Sequence, residues 1–230
     1  MSNVNKQDLI SALRTRLTLA NVNSDALFSE ALEVVVFGSR AVGVNRDTSD
    51  LDVLCFTNQK RRIRTRQLDC ICYPHAEREG SYWRGSELAS HIARYGVWIV
   101  GNDAWRNSVL IGKEAIERKQ RKIESLIRNA VSRWQQFHPL FRTKYATSAR
   151  RELQRLYLLE TGVPIPPTPL LDSQWGLQRV KPEQLLCTAS RVPGVIPHYA
   201  RWISSVLCDE MEGDQPDSLN YSFAVSPRSA

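Results

Sequence analysis

No apolar run in this 230-residue chain is longer than a few residues; the purest, around Val34-Val35-Val36, falls far short of the roughly 20 that span a bilayer. A membrane span is therefore not expected. The opening residues Met1-Ser2-Asn3-Val4-Asn5-Lys6-Gln7-Asp8 are polar and lack the apolar core of a secretory signal, so the expected location is cytoplasmic. Cysteine is sparse and odd in number: Cys55, Cys70, Cys72, Cys187 and Cys208 read as free thiols rather than as a disulfide framework. No internal repeat is present, which sets aside a repeat architecture. Acid is the minority charge, with 24 Asp and Glu against 31 Lys and Arg. The resulting net charge of +7 favours anionic partners such as nucleotides or RNA. What remains, 42% hydrophobic and 24% charged, is the balance of a globular chain with one large domain or two small ones.

Periodicity divides the chain into two halves. Leu9, Ile10, Leu13 and Leu17 stand at helical spacing over residues 6–18, and a second short helix is expected over 24–32. Glu33-Val34-Val35-Val36-Phe37 then reads as a buried strand that turns sharply at Gly38, with further strands expected over 51–56 and 67–73. Ser86 can cap a helix carrying Leu88, Ala89, Ile92 and Ala93; it stops at Gly96 and leads into strand-like Val97-Trp98-Ile99-Val100. Beyond this point β character disappears. One long helix is expected over 113–137, with Ile116, Ile123, Leu126, Ile127, Ala130, Val131 and Trp134 on one face, and another over 143–160. The proline-rich residues 164–169 read as an extended connector, helices resume over 182–189 and 197–207, and the last twenty residues read as a frayed tail. The division expected is 1–112 for a mixed α/β domain, 113–210 for a helical domain and 211–230 for the tail.

The chemistry is concentrated in Phe37-Gly38-Ser39-Arg40-Ala41-Val42-Gly43 and Ser49-Asp50-Leu51-Asp52-Val53. Residues two apart on a strand share a face, so Asp50 and Asp52 project together while Leu51 and Val53 point into the core. Two neighbouring carboxylates repel, and a hard divalent cation with oxygen ligands is the usual remedy, so magnesium is expected. Asp69, in Leu68-Asp69-Cys70-Ile71, repeats the apolar-acid-apolar pattern, and all three acids converge if its strand lies beside that of Asp52. Three acids suit two-metal phosphoryl transfer. A glycine at the Gly38-Ser39 turn lets backbone amides and the Ser39 hydroxyl approach phosphate oxygens.

With ten residues between Ser39 and Asp50, this arrangement resembles the nucleotidyltransferase superfamily of DNA polymerase beta, and particularly its small bacterial members in antibiotic-modifying enzymes and toxin–antitoxin pairs. The resemblance covers residues 30–101. It implies an α/β (α+β) nucleotidyltransferase fold, a short mixed sheet backed by helices, followed here by a C-terminal helical domain. The implied activity moves a nucleoside monophosphate from a nucleoside triphosphate, ATP being the expected donor, to an acceptor hydroxyl, releasing pyrophosphate. By position, Asp50, Asp52 and Asp69 would hold two Mg2+ ions, and Asp69 would help deprotonate the acceptor. Gly38 and Ser39 would hold the β- and γ-phosphates, with Arg40 adding charge nearby. A small-molecule, antibiotic-like acceptor is preferred; the alternatives are a toxin–antitoxin enzyme that modifies a protein or tRNA, and an inactive nucleotide- or RNA-binding module.

Other features have plainer readings. The basic residues 60–66 read as a solvated loop, and Arg118, Lys119, Arg121 and Lys122 as the solvent face of the long helix. Cys70, Cys72 and His75 lack an evident fourth ligand for zinc and read as ordinary side chains. Arg133 and His138 resemble the arginine-to-histidine motif of HEPN ribonucleases, frequent partners of small nucleotidyltransferases. Trp134 replaces that motif's polar second position, so the spacing is read as coincidence, and a HEPN-type partner rests on the resemblance alone.

Overall fold

The computed structural model describes residues 4–175. The helices expected over 182–189 and 197–207, the tail, Cys187 and Cys208 lie outside the described residues. The chain divides into two compact units, Met1–Ala115 with Gly162–Leu171, and Ile116–Thr161 with Asp172–Ala230. No helix among the described residues is long and apolar enough to cross a membrane.

The first unit is built on a five-stranded mixed sheet in the order β3-β4-β2-β1-β5. Its strands are β1 (Glu33–Phe37), β2 (Leu51–Thr57), β3 (Arg61–Arg64), β4 (Leu68–Pro74) and β5 (Val97–Val100). Only the β2–β4 pairing is parallel; β1–β2, β1–β5 and β3–β4 are antiparallel. Side chains alternate between two layers, as a pleated strand requires. On one face Val34, Val36, Leu51, Val53, Leu68 and Cys70 pack against Leu9, Leu13 and Leu17 of α1 (Lys6–Leu19) and Leu27 of α2 (Ser24–Glu30). The short α3 (Gly38–Ala41) follows β1 directly. On the opposite face Val35, Leu54 and Phe56 pack against Trp83 of α4 (Ser81–Arg84), Trp105, and Ala89 and Ile92 of α5 (Glu87–Tyr95). Side-chain caps start these helices: Asn5 accepts from the Gln7 amide, Asn23 from those of Asp25 and Ala26, and Ser86 from that of Ala89.

Three expectations change. Residues 60–66 are not simply a loop, because Arg61–Arg64 form edge strand β3. With Ile63 as its single apolar residue the strand carries no alternating pattern, and cations are what an exposed sheet edge tolerates without pairing to another chain. The extended connector ends sooner, because α8 (Thr168–Trp175) begins within it. Pro169 lies in the first turn of that helix, where its missing N–H forfeits no hydrogen bond. Two unforeseen short elements, a 3-10 helix at His75–Glu79 and α4, fill the stretch between β4 and α5.

Glu33 is the polar anchor of this unit. It is buried at 1% exposure, accepts from Arg78 Nε at 2.6 Å, and accepts from the indole N–H groups of Trp98 at 3.1 Å and Trp105 at 2.8 Å. Its charge is therefore answered by one cation and two oriented donors, which ties β1 to the segments before and after α5.

The second unit contains α6 (Lys113–Arg133), which begins in the first, and α7 (Pro139–Glu160), which starts four residues before the expected helix. The α6 helix stops at Arg133 and a 3-10 turn follows at Trp134–Gln136, so Arg133 and His138 do not share one continuous helix. Ile123, Ile127 and Ala130 of α6 are buried, as are Ala149, Leu153, Leu156 and Leu159 of α7. Lys119 departs from the solvent-face expectation: it is buried and donates to Glu152 at 2.6 Å, while Lys122 and Arg155 reach the same carboxylate at 3.0 and 2.8 Å. Burial works to raise the Glu152 pKa, yet Lys119, Arg155 and Lys122 outweigh it and hold the group at about 2.

Removing the Glu33 carboxylate leaves two indole donors unmet and takes from Arg78 its buried partner, so Glu33→Ala is expected to destabilise the first unit by about 3 kcal/mol. Denaturant unfolding followed by tryptophan fluorescence measures this, and an unchanged midpoint would refute the anchoring role.

Candidate active site

The site is set by strand register. Asp52 stands opposite Phe37 across the antiparallel β1–β2 pair and opposite Asp69 across the parallel β2–β4 pair. Leu51 and Val53 are fully buried on the helical α1–α2 side, which turns Asp52 to the other face, and the same alternation between Leu68 and Cys70 turns Asp69 that way. Asp50 immediately precedes β2 and acts on Asp52 by charge. All three acids thus meet at one end of neighbouring strands, as the sequence pattern anticipated.

Gly38 belongs to the same cluster. Its φ is +74°, and a β-carbon built there would lie 2.2 Å from Asp52 Oδ2. Only glycine fits both the backbone angle and the contact, so the β1–α3 turn presses directly against the carboxylate. Ser39, next along, is half-buried, and its carbonyl accepts from the Val44 amide at 3.0 Å.

Proximity of the acids has an electrostatic consequence. Burial, then the charges of Asp50 and Asp69, raise the Asp52 pKa to about 7, against a lowering pull from Arg62. Asp69 is answered more fully: Arg62 donates to both its oxygens, at 2.8 and 2.5 Å, and Arg64 lies 4.0 Å away. Edge strand β3 therefore supplies the cations beside the third acid.

Arg40 has a structural engagement. Its Nε and Nη2 donate to the Ser49 carbonyl at 3.0 and 2.8 Å, and Nη2 reaches the Asp47 carbonyl at 3.4 Å. The guanidinium thereby clamps the loop that delivers Asp50. Arg16 of α1, which sequence reading passed over, comes close enough to Arg40 and Asp50 to feel both charges; burial, then Arg40, lower its pKa, while Asp50 acts to raise it. Its Nη1 is buried and has no hydrogen-bond partner. Arg16 also borders an open groove of about 460 Å³ lined by Asp8, Ser11, Ala12, Thr15 and Gln67. Helical periodicity marks Arg16 only as a polar neighbour of the apolar stripe, so nothing in the linear pattern singled it out.

Residues 24–132 match the family model described as a nucleotidyltransferase domain. This stretch is a nucleotidyltransferase domain. It runs from the start of α2 almost to the end of α6 and contains Gly38, Ser39 and all three acids. Domains of this family transfer a nucleoside monophosphate from a nucleoside triphosphate. No curated protein matches the chain. Among solved structures, the nucleotidyltransferase-like protein of Exiguobacterium sibiricum 255-15 is similar at 14% identity over 87% of this chain and 74% of that one, with a TM-score of 0.35.

Two outcomes follow from this cluster. The folded state holds the Asp52 proton more tightly than the unfolded state, whose carboxyl titrates near 3.8. Stability of the metal-free protein should therefore fall as pH rises from about 4 to about 7 and then level off, by at most about 4 kcal/mol. Asp52→Asn should flatten that slope in urea titrations at fixed pH values, and an equally steep slope in the variant would contradict the assignment. Gly38→Ala, which must displace Asp52, should lower nucleotidyl transfer by at least about 100-fold while leaving α-helical circular dichroism in place; near-normal turnover would show the contact to be irrelevant.

Proposed function

We propose that the chain is a magnesium-dependent nucleotidyltransferase that moves a nucleoside monophosphate, from ATP in the first instance, to an acceptor hydroxyl with release of pyrophosphate. The observation that supports it best is the register of Asp52 with Asp69, joined by Asp50 and by Gly38 packed against Asp52. Carboxylate oxygens are hard donors, and an Asp52 that resists ionisation beside two other acids suits a site completed by divalent cations. Asp50, Asp52 and Asp69 would hold two Mg2+ ions, whose contribution is charge neutralisation and activation of a hydroxyl.

The chain's own residues have separate tasks in this reading. Gly38 admits the triphosphate to the backbone and Ser39 offers it a hydroxyl. Arg16, with a donor to spare, contributes positive charge toward the phosphates, while Arg40 holds the Asp50 loop in place. Asp52 gives up its proton when cations bind, and Asp69 takes the proton of the acceptor hydroxyl. Arg62, now paired with Asp69, then stands on the acceptor side.

For the acceptor, a small molecule bearing a hydroxyl is the first reading, in keeping with an α/β unit followed by a helical one. A second reading, tRNA, is favoured by the cations Arg62 and Arg64 that β3 sets beside Asp69. A polycationic aminoglycoside would meet repulsion there.

The test incubates the protein with Mg2+ and each α-labelled nucleoside triphosphate, alone and with an antibiotic panel, total tRNA or cell-lysate protein. Label on one acceptor, lost in Asp52→Asn and reduced at least about 100-fold in Asp69→Asn, is the expected result. Triphosphate binding with no transfer to any acceptor would overturn the catalytic reading in favour of a binding module. If tRNA is labelled, Arg62→Gln with Arg64→Gln should also flatten the salt dependence of its binding.

A further inference from the structure

The opposite face of the same two strands carries a cluster that nucleotidyl transfer does not use. Cys55 of β2 and Cys70 and Cys72 of β4 are all fully buried, and their sulfur atoms lie within 4.8 Å of one another. Cys55 and Cys70 approach to 3.7 Å. Register explains the gathering: Cys55 pairs with Cys72 and Val53 with Cys70, so the three thiols occupy adjacent inward positions across one parallel pair. The third edge of the cluster is closed by β3, where Ile63 stands opposite Cys70 and Arg61 opposite Cys72.

We propose that Cys55, Cys70 and Cys72 form a three-coordinate site for a thiophilic metal ion of the Cu(I) or Hg(II) class. With metal–sulfur bonds of about 2.3 Å, a trigonal ion needs its three sulfurs about 4 Å apart, so the trio needs little rearrangement. The donors are all soft, which disfavours magnesium and calcium, and among the described residues three gather, the number a trigonal ion takes. His75, considered beside Cys70 and Cys72 in the sequence, does not join the cluster, whereas Cys55 does.

The Arg61 guanidinium, on the strand position opposite Cys72, pairs with Glu30 at 3.2 Å. Loading replaces thiol protons by the ion, and those protons leave to solvent. This site is independent of the acceptor and of turnover, so it stands whether or not the enzyme assay succeeds.

The experiment uses the full chain carrying Cys187→Ser and Cys208→Ser, which leaves the trio as its only thiols. Cu(I) is offered anaerobically against a chromogenic Cu(I) chelator, to the folded protein and during refolding, since the sulfurs are buried. In parallel, Hg(II) is followed by its sulfur-to-metal charge-transfer absorption. One ion per chain by either route is expected, and Cys55→Ala, Cys70→Ala and Cys72→Ala should each weaken retention by at least about tenfold. Should those variants fail to fold, X-ray absorption at the copper edge of the loaded parent counts its neighbours without any substitution, and three sulfurs are expected. Less than half an ion per chain, or a copper shell of nitrogen, oxygen or two sulfurs, would overturn the site. So would a folded triple variant that binds as tightly as the parent.

Discussion

The parallel pairing of β2 with β4 is the constraint on which this molecule turns. Because Asp52 stands opposite Asp69 in that ladder, two carboxylates are forced together at the end of a sheet whose reverse side is packed with aliphatic residues. A slip of one residue would send both acids into the apolar layer between sheet and α1, so burial of Leu51, Val53 and Leu68 enforces the register. The hydrophobic effect thus holds in place an arrangement that electrostatics alone would push apart. Asp52 carries the cost as a raised pKa, and Arg62 offsets the charge of Asp69 from the neighbouring edge strand.

Charge is handled differently elsewhere. Glu33 and Glu152 are more deeply buried than the site acids, yet each is met by cations and oriented donors. Such groups reinforce the fold: Glu33 ties the two sides of α5 to β1, and Glu152 joins α6 to α7 within the helical unit. The contrast separates structural carboxylates, whose lone pairs are filled by the protein, from the cluster at Asp50, Asp52 and Asp69, where negative charge exceeds its local compensation. The same pair of strands then presents two chemistries, hard oxygen donors on one face and soft sulfur donors on the other. Pleating alone separates them, since Asp69 and Cys70 are adjacent in the chain and point opposite ways.

Much of this was legible in the linear sequence, and for identifiable reasons. The β-branched run at Val34-Val35-Val36, the acid-apolar-acid alternation and the glycine turn are local signals. Each depends on a residue and its neighbours within a few positions, and local sterics set their conformation. Pairing of the acids with Gly38 followed from the same locality, because one antiparallel connection joins their strands. Strand β3 escaped because an edge strand buries little and shows no alternation. The start of α8 at Thr168 escaped because proline is read as a breaker, although in a first turn it is harmless. By itself, then, the sequence determined four of the five strands, the main helices and the three acids. Tertiary structure alone decided that Arg62 would meet Asp69, that Lys119 would be drawn inward to Glu152, that Arg16 would approach Asp50, and that Cys55 would join Cys70 and Cys72. Those contacts link elements far apart in the chain, and their partners are chosen by packing and strand order, which no short-range pattern encodes.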